Sequence, residues 1–248
     1  MVCFYLYNSR RCNVTVGTAH SLYLHIMCTS YAHHIHNSLI AFIRDPLFNW
    51  TADIDHIKDD DERNDKICKM NRYMLGWVNF QLINGSRGVA IGIKGDNDNL
   101  IGCMTITPSS CTKVGFIDTI RTIIKLGIPP SHKPENGYGQ HAKNRLKATE
   151  DVPKARERIM KEHKRWIYLQ CIGVHPSAVG KGHGKRMLNL LIQTADSLNV
   201  PLYLETESES NEAMYKHFGF RTAEKIHLCA EGDTVKQPMW LMIKDAKE

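Results

Sequence analysis

Between Val174 and Lys185 the chain reads VHPSAVGKGHGK, with Gly180, Gly182 and Gly184 at alternate positions directly before a helical pattern. That spacing has a chemical use. Missing Cβ atoms let a ligand approach the backbone, and the amides of residues 180–184 can converge on an anion at the positive end of the following helix. Phosphate or pyrophosphate is the natural guest, with Lys181 and Lys185 adding charge. Two familiar phosphate motifs are excluded. A P-loop needs glycine where Val179 stands and Ser or Thr where Arg186 stands, and a dinucleotide fingerprint needs a third glycine where Lys185 or Met187 is found.

The elements around these glycines must form a strand-turn-helix unit. WIYLQCIGV, Trp166 to Val174, is an apolar strand, and Pro176 opens the turn. A helix runs from about Gly184 to Leu198 with Met187, Leu188, Leu191, Ala195 and Leu198 on one face, and Asn199 with Pro201 stops it. LYLET is the next strand. Asn211 is expected to cap a short helix carrying Tyr215, which Gly219 ends before Phe220. A final hairpin, FRTAEKIHLCA and PMWLMIK, turns around Glu231-Gly232-Asp233.

Upstream, an amphipathic helix from Asn37 is expected to break at Asp45-Pro46, with Leu47, Phe48 and Trp50 following. Phe48 and Trp50 suit either a substrate cleft or plain core packing. A helix is expected over Asp65–Leu82, a hairpin over 88–94 and 100–106, and a second helix over 117–126. Residues 128–151 read as a long irregular connection, and Pro153 starts a helix through Lys164.

The order Val174-x-Pro176-x-x-Val179-Gly180-x-Gly182-x-Gly184, an amphipathic helix, LYLETE, then Asn211-x-x-x-Tyr215-x-x-x-Gly219-Phe220 resembles the GNAT superfamily of acetyl-CoA-dependent N-acetyltransferases. AFIRDPLFNW at 41–50 and PMWLMIK near the C-terminus extend the likeness to its small-molecule branch, which includes antibiotic-modifying enzymes. The resemblance implies a mixed α/β fold: a central, largely antiparallel twisted sheet, flanked by helices, with one splayed parallel strand pair holding acetyl-CoA. It implies that the backbone of Ile172, Gly173 and Val174 pairs with the pantetheine arm and directs an N–H at the thioester oxygen. The pyrophosphate would lie on the loop of Val179, Gly180, Lys181, Gly182, His183, Gly184 and Lys185, with Asn211 nearby. Val179 departs from the family's usual Gln or Arg, so one side-chain contact is lost. Tyr215 matches the tyrosine that protonates the leaving thiolate, and its other reading is a core tyrosine.

The base is less determined. Glu205 ends the strand facing the cleft in the family pattern, while Glu207, Glu209 or a water chain would also serve. Tyr168 stands where protein-acetylating relatives often carry glutamate, which argues against a histone-type substrate. The implied reaction is acetyl transfer from acetyl-CoA to a primary amine of a small molecule in a ternary complex. The alternatives are an acyl-CoA-binding module with little or no turnover, and a protein or peptide N-acetyltransferase.

Composition is consistent with one catalytic domain over 37–248 behind an N-terminal extension, 1–36, of undetermined role. The 248 residues are 42% hydrophobic and 23% charged, as in ordinary soluble globular chains. The net charge of +6 concentrates its basic residues in 143–165, read as a solvated helix face, so no nucleic-acid partner is expected. Eight scattered cysteines lack C-x-x-C pairing and suit a reducing, cytoplasmic compartment. His33, His34 and His36 read as a solvated turn, and nothing requires a metal. No stretch approaches the roughly 18 apolar residues of a membrane span, so no membrane partner is expected. A monomer or homodimer is expected.

Overall fold

The computed structural model describes residues 2–4, 14–16, 42, 44–54, 56–70, 88–95, 100–112, 115–126 and 139–247. The expected boundary at 36/37, the histidine cluster at 33–36 and residues 71–82 of the expected helix lie outside these residues. Eight strands are described: β1 Val2–Phe4, β2 Val14–Val16, β3 Val89–Lys94, β4 Leu100–Pro108, β5 Ile167–Val174, β6 Leu202–Thr206, β7 Arg221–Leu228 and β8 Gln237–Lys244. β1 and β2 pair only with each other. The remaining six form one sheet in the order β3-β4-β5-β6-β8-β7, antiparallel throughout except for the parallel neighbours β5 and β6.

The helices are α1 Pro46–Ala52, α2 Phe116–Leu126, α3 Gly139–Ala148, α4 Asp151–Met160, α5 His183–Leu198 and α6 Glu209–His217, with a further helical stretch over 60–70. Three expectations are corrected. Asp45-Pro46 starts a helix: the Asp45 side chain accepts from the Phe48 amide at 3.1 Å, and Pro46 occupies the first helical position, where its missing N–H costs nothing. The stretch 128–151 contains α3. Ser208, with Oγ 3.2 Å from the Asn211 amide, caps α6 in place of Asn211.

Helical spacing on α5 puts Met187, Leu188, Leu191 and Ala195 onto Met104, Leu169, Leu202, Leu204, Trp240 and Met242, forming the main core on one side of the sheet. Each such fully buried side chain contributes about 1.5–3 kcal/mol relative to exposure. On the other side Ala155 and Met160 of α4 cover Tyr203, Leu241 and Ile243. Trp50 of α1 meets Val152, Leu228 and Met239 there. Phe48 and Trp50 are therefore buried parts of the packing that fixes α1.

Candidate active site

Two departures from regular pairing open the middle of the sheet. The β5–β6 ladder runs only from Ile167–Leu202 to Leu169–Leu204, so no described strand pairs with Ile172–Val174 along that edge. The backbone groups of this stretch that do not turn toward β4 have no strand partner among the described residues and need other partners. In addition, Ile106 opposes Leu169 while Thr105 opposes Cys171, leaving Gln170 as an extra residue. This β-bulge reverses the alternation. Leu169 joins the α5 core, whereas Cys171 shares the opposite face with Thr105, and strand-bending of this kind re-aims side chains.

The glycine loop follows directly. Gly180 (φ +82°) and Gly182 (φ +78°) occupy left-handed conformations, and a Cβ at either would meet nothing within 4 Å. Conformation, and no crowding by the protein, therefore selects glycine at both positions. Gly182 is the N-cap of α5 and offers no side-chain cap. The Arg186 amide bonds Gly182 O at 3.0 Å, leaving the first-turn amides of His183, Gly184 and Lys185 without an intrahelical acceptor. Val179 is 66% exposed, and Asn211 donates its side chain to Glu207 Oε1 at 3.1 Å.

On the face opposite α5, β6 presents Tyr203 and Glu205, and Glu207 follows just past the strand's end; these glutamates have different surroundings. Glu205 accepts a very short hydrogen bond from the Tyr168 hydroxyl, and Arg156 Nη1 lies 3.5 Å from its other oxygen. The Arg156 guanidinium also stacks 4.3 Å above the Tyr168 ring. Glu205 is thus held within a buried ion pair. Glu207 instead meets Asp45 from α1. Burial, then the adjacent Asp45 charge, pushes the Glu207 carboxyl up to about 9. Asp45 is also raised by burial, opposed by its bond from the Phe48 amide and by its hydrogen bond with Glu207. Glu207 therefore keeps its proton at neutral pH.

Tyr215 completes the cluster. It is 7% exposed, with its ring edge-on to Phe220 at 5.7 Å. Burial first, then the charges of Glu207, Cys171 and Asp45, raises its hydroxyl pKa, so the group stays protonated. Cys171, in contact with Cys103, has its thiol pushed well up by that neighbour and by burial. The splayed strands, the bare helix terminus, Glu207 and a protonated phenol thus lie on consecutive elements, and the start of α1 brings Asp45 to them. Sequence reasoning missed Asp45. Its N-cap position before proline was a readable signal, but the meeting with Glu207 is tertiary. Among the described residues no group of three His, Cys, Asp or Glu could hold a metal, and no helix is long and apolar enough to cross a membrane.

The sequence and the fold are similar to those of known proteins. Residues 149–220 match the Acetyltransferase (GNAT) family model. An uncharacterized N-acetyltransferase of Schizosaccharomyces pombe is 32% identical over 78 residues, which are 32% of this chain and 31% of that protein, so the match spans about a third of the relative's length. Arylalkylamine N-acetyltransferase 2 of Aedes aegypti superposes with a TM-score of 0.55 at 9% identity, covering 92% of this chain and 100% of the other. The polyamine N-acetyltransferase of Drosophila melanogaster gives 0.53 at 10% identity over 90% and 99%. A Corynebacterium glutamicum protein described as histone acetyltransferase HPA2 and related acetyltransferase gives 0.51 at 17% identity over 92% and 98%. Residues 149–220 thus carry the match to the GNAT family, and the whole chain shares the fold of these acetyltransferase structures.

Proposed function

We propose that this protein is an acetyl-CoA-dependent N-acetyltransferase acting on a primary amine of a small molecule in a ternary complex. The observation that carries the reading is the Asp45–Glu207 pair, buried beside Tyr215 where β5 and β6 separate. Acetyl-CoA would supply the acetyl group and a thiolate leaving group. The uncapped α5 terminus and the open positions above Gly180 and Gly182 fit its pyrophosphate, with Lys181 and Lys185 alongside. The free edge of Ile172–Val174 suits the pantetheine arm and an N–H to the developing oxyanion.

An incoming alkylamine is protonated at neutral pH and cannot attack. Asp45, as the ionised member of the pair, attracts it and takes its proton while Glu207 keeps its own. We assign the base to this pair in place of Glu205, whose Oε2 accepts from the Tyr168 hydroxyl and whose Oε1 lies 3.5 Å from the Arg156 cation. Tyr215 gives its proton to the departing sulfur, and the second proton lost from nitrogen as the amide forms replaces it. The relatives acting on arylalkylamines and polyamines support a small amine acceptor.

Melting curves with acetyl-CoA, CoA, ATP and NAD in parallel test the cofactor assignment. Ligand at 100 times its Kd stabilises by about 2.7 kcal/mol, a rise of several degrees at this size. A rise with acetyl-CoA and CoA alone supports the reading; a rise with ATP or NAD instead, or none, removes it.

A further inference from the structure

The two carboxyl groups of the pair come from distant parts of the chain, yet both are tied to one short turn. Glu207 is reached from the start of β8: Gln237, 8% exposed, donates Nε2 to Glu207 O at 3.4 Å and to Pro238 O at 3.0 Å. Asp45 is reached through α1. At the far end of that helix the Trp50 carbonyl accepts from Arg145 Nη1 at 2.7 Å and from the Asp53 amide at 3.1 Å. Arg145 Nη1 also lies 3.3 Å from Asp53 Oδ1, and its guanidinium sits 5.3 Å from the Trp50 ring centroid.

The same guanidinium anchors to the turn between β7 and β8. Arg145 Nε donates to Asp233 Oδ1 at 2.9 Å, and His141 Nε2 meets that oxygen at 2.8 Å. The Asp233 side chain is 0% exposed, and its second oxygen accepts from the Ala230 amide at 2.9 Å. A closed circuit results: Asp45, α1, Arg145, Asp233, the turn, Gln237, Glu207, and back to Asp45.

We infer that the β7–β8 turn is the common mount that fixes the spacing of the Asp45 and Glu207 carboxyls, with Arg145 as the positioning residue that carries its hold to α1. Apolar burial of Phe48, Trp50 and Ala52 keeps α1 on the protein, but such contacts are non-directional and tolerate sliding. A guanidinium fork bonded at both ends does not tolerate it. The seven-residue α1 has Asp45 at one end and the Arg145 contact at the other, so a shift at Trp50 is delivered whole to Asp45. What the spacing is for rests on the proposed base pair; that the mount sets it does not.

The test follows Glu207 directly, by NMR titration of protein carrying carbon-13 glutamate, with Glu207→Gln used to assign the signal. Wild type is expected to titrate near 9. Arg145→Met and Asp233→Asn are expected to lower that midpoint by at least one unit, as Asp45 moves off and water enters, while Arg145→Lys falls between. In an Asp45→Asn background, Arg145→Met is expected to produce no further drop, because the shift travels through Asp45. A folded Arg145→Met protein with the wild-type midpoint overturns the inference, as does an equal drop in the Asp45→Asn background. If Arg145→Met fails to fold, Arg145→Lys and Asp233→Asn decide by the same criterion. The titration needs no acceptor amine, so a lack of turnover would count against the proposed activity and leave this result standing.

Discussion

Glu207 and Asp45 face each other as a buried carboxyl pair, and the partners that hold them differ: the Asn211 side chain for Glu207 at 3.1 Å, the Phe48 amide for Asp45 at 3.1 Å. A carboxyl kept protonated in the folded state has a defined thermodynamic cost. Its pKa is raised from 4.5 to about 9, so between those pH values the folded protein binds more protons at this site than the unfolded chain. Stability therefore falls as pH rises through that window. Glu207→Gln removes the dependence. Melting temperatures of the variant and wild type should diverge steadily from pH 5 to pH 9 in favour of the variant, while its acetyl transfer falls by about 100-fold or more. Parallel melting curves would contradict the retained proton.

Tyr215→Phe separates packing from proton donation. The ring keeps its contact with Phe220, so stability should change by no more than about 1 kcal/mol. Turnover should fall by about 100-fold or more, with acetyl-CoA affinity within about threefold of wild type. Equal losses of turnover and affinity would return Tyr215 to the role of a core tyrosine.

Glu205 is the control for the base assignment. Glu205→Ala leaves Arg156, with only 12% of its side chain exposed, without its ion-pair partner, and should destabilise by about 3–5 kcal/mol. Glu205→Gln should retain the wild-type shape of rate against pH. A lost acid limb in Glu205→Gln would move the base back to Glu205.

The strands and helix around the glycine loop, and the loop's conformation, were legible because their signals are local. Apolar alternation marked β5 and β6, the i, i+3, i+4 stripe marked α5, and the glycine spacing marked Gly180 and Gly182, which take positive φ. The site face was not legible. The bulge at Gln170 turns Cys171 to the face opposite Leu169, against simple alternation, and only the register with Thr105 and Ile106 reveals it. Asp45 was misread as a helix stop because proline ends a helix interior yet favours a first turn. Capping of α6 by Ser208 frees the Asn211 side chain for Glu207, a choice between two polar neighbours that tertiary contact settles.

Gly182→Ala tests the anion site. Its φ of +78° makes any side chain strained, at about 1–2 kcal/mol, although the space is open. The Gly184 position has ordinary φ, and a Cβ there would meet Val174 Cγ2 at 3.6 Å, an ordinary contact. Calorimetric titration should show at least a tenfold loss of CoA affinity for Gly182→Ala. Wild-type affinity in Gly182→Ala would place the phosphates elsewhere.

The most direct test of the central claim is release of free CoA thiol from acetyl-CoA across a panel of small primary amines, for wild type and Asp45→Asn. The account predicts amine-dependent release by wild type that falls by about 100-fold or more in Asp45→Asn, with acetyl-CoA still raising the melting temperature of both. A wild-type protein that is stabilised by acetyl-CoA yet releases no thiol with any amine would contradict it and describe an acyl-CoA-binding module instead.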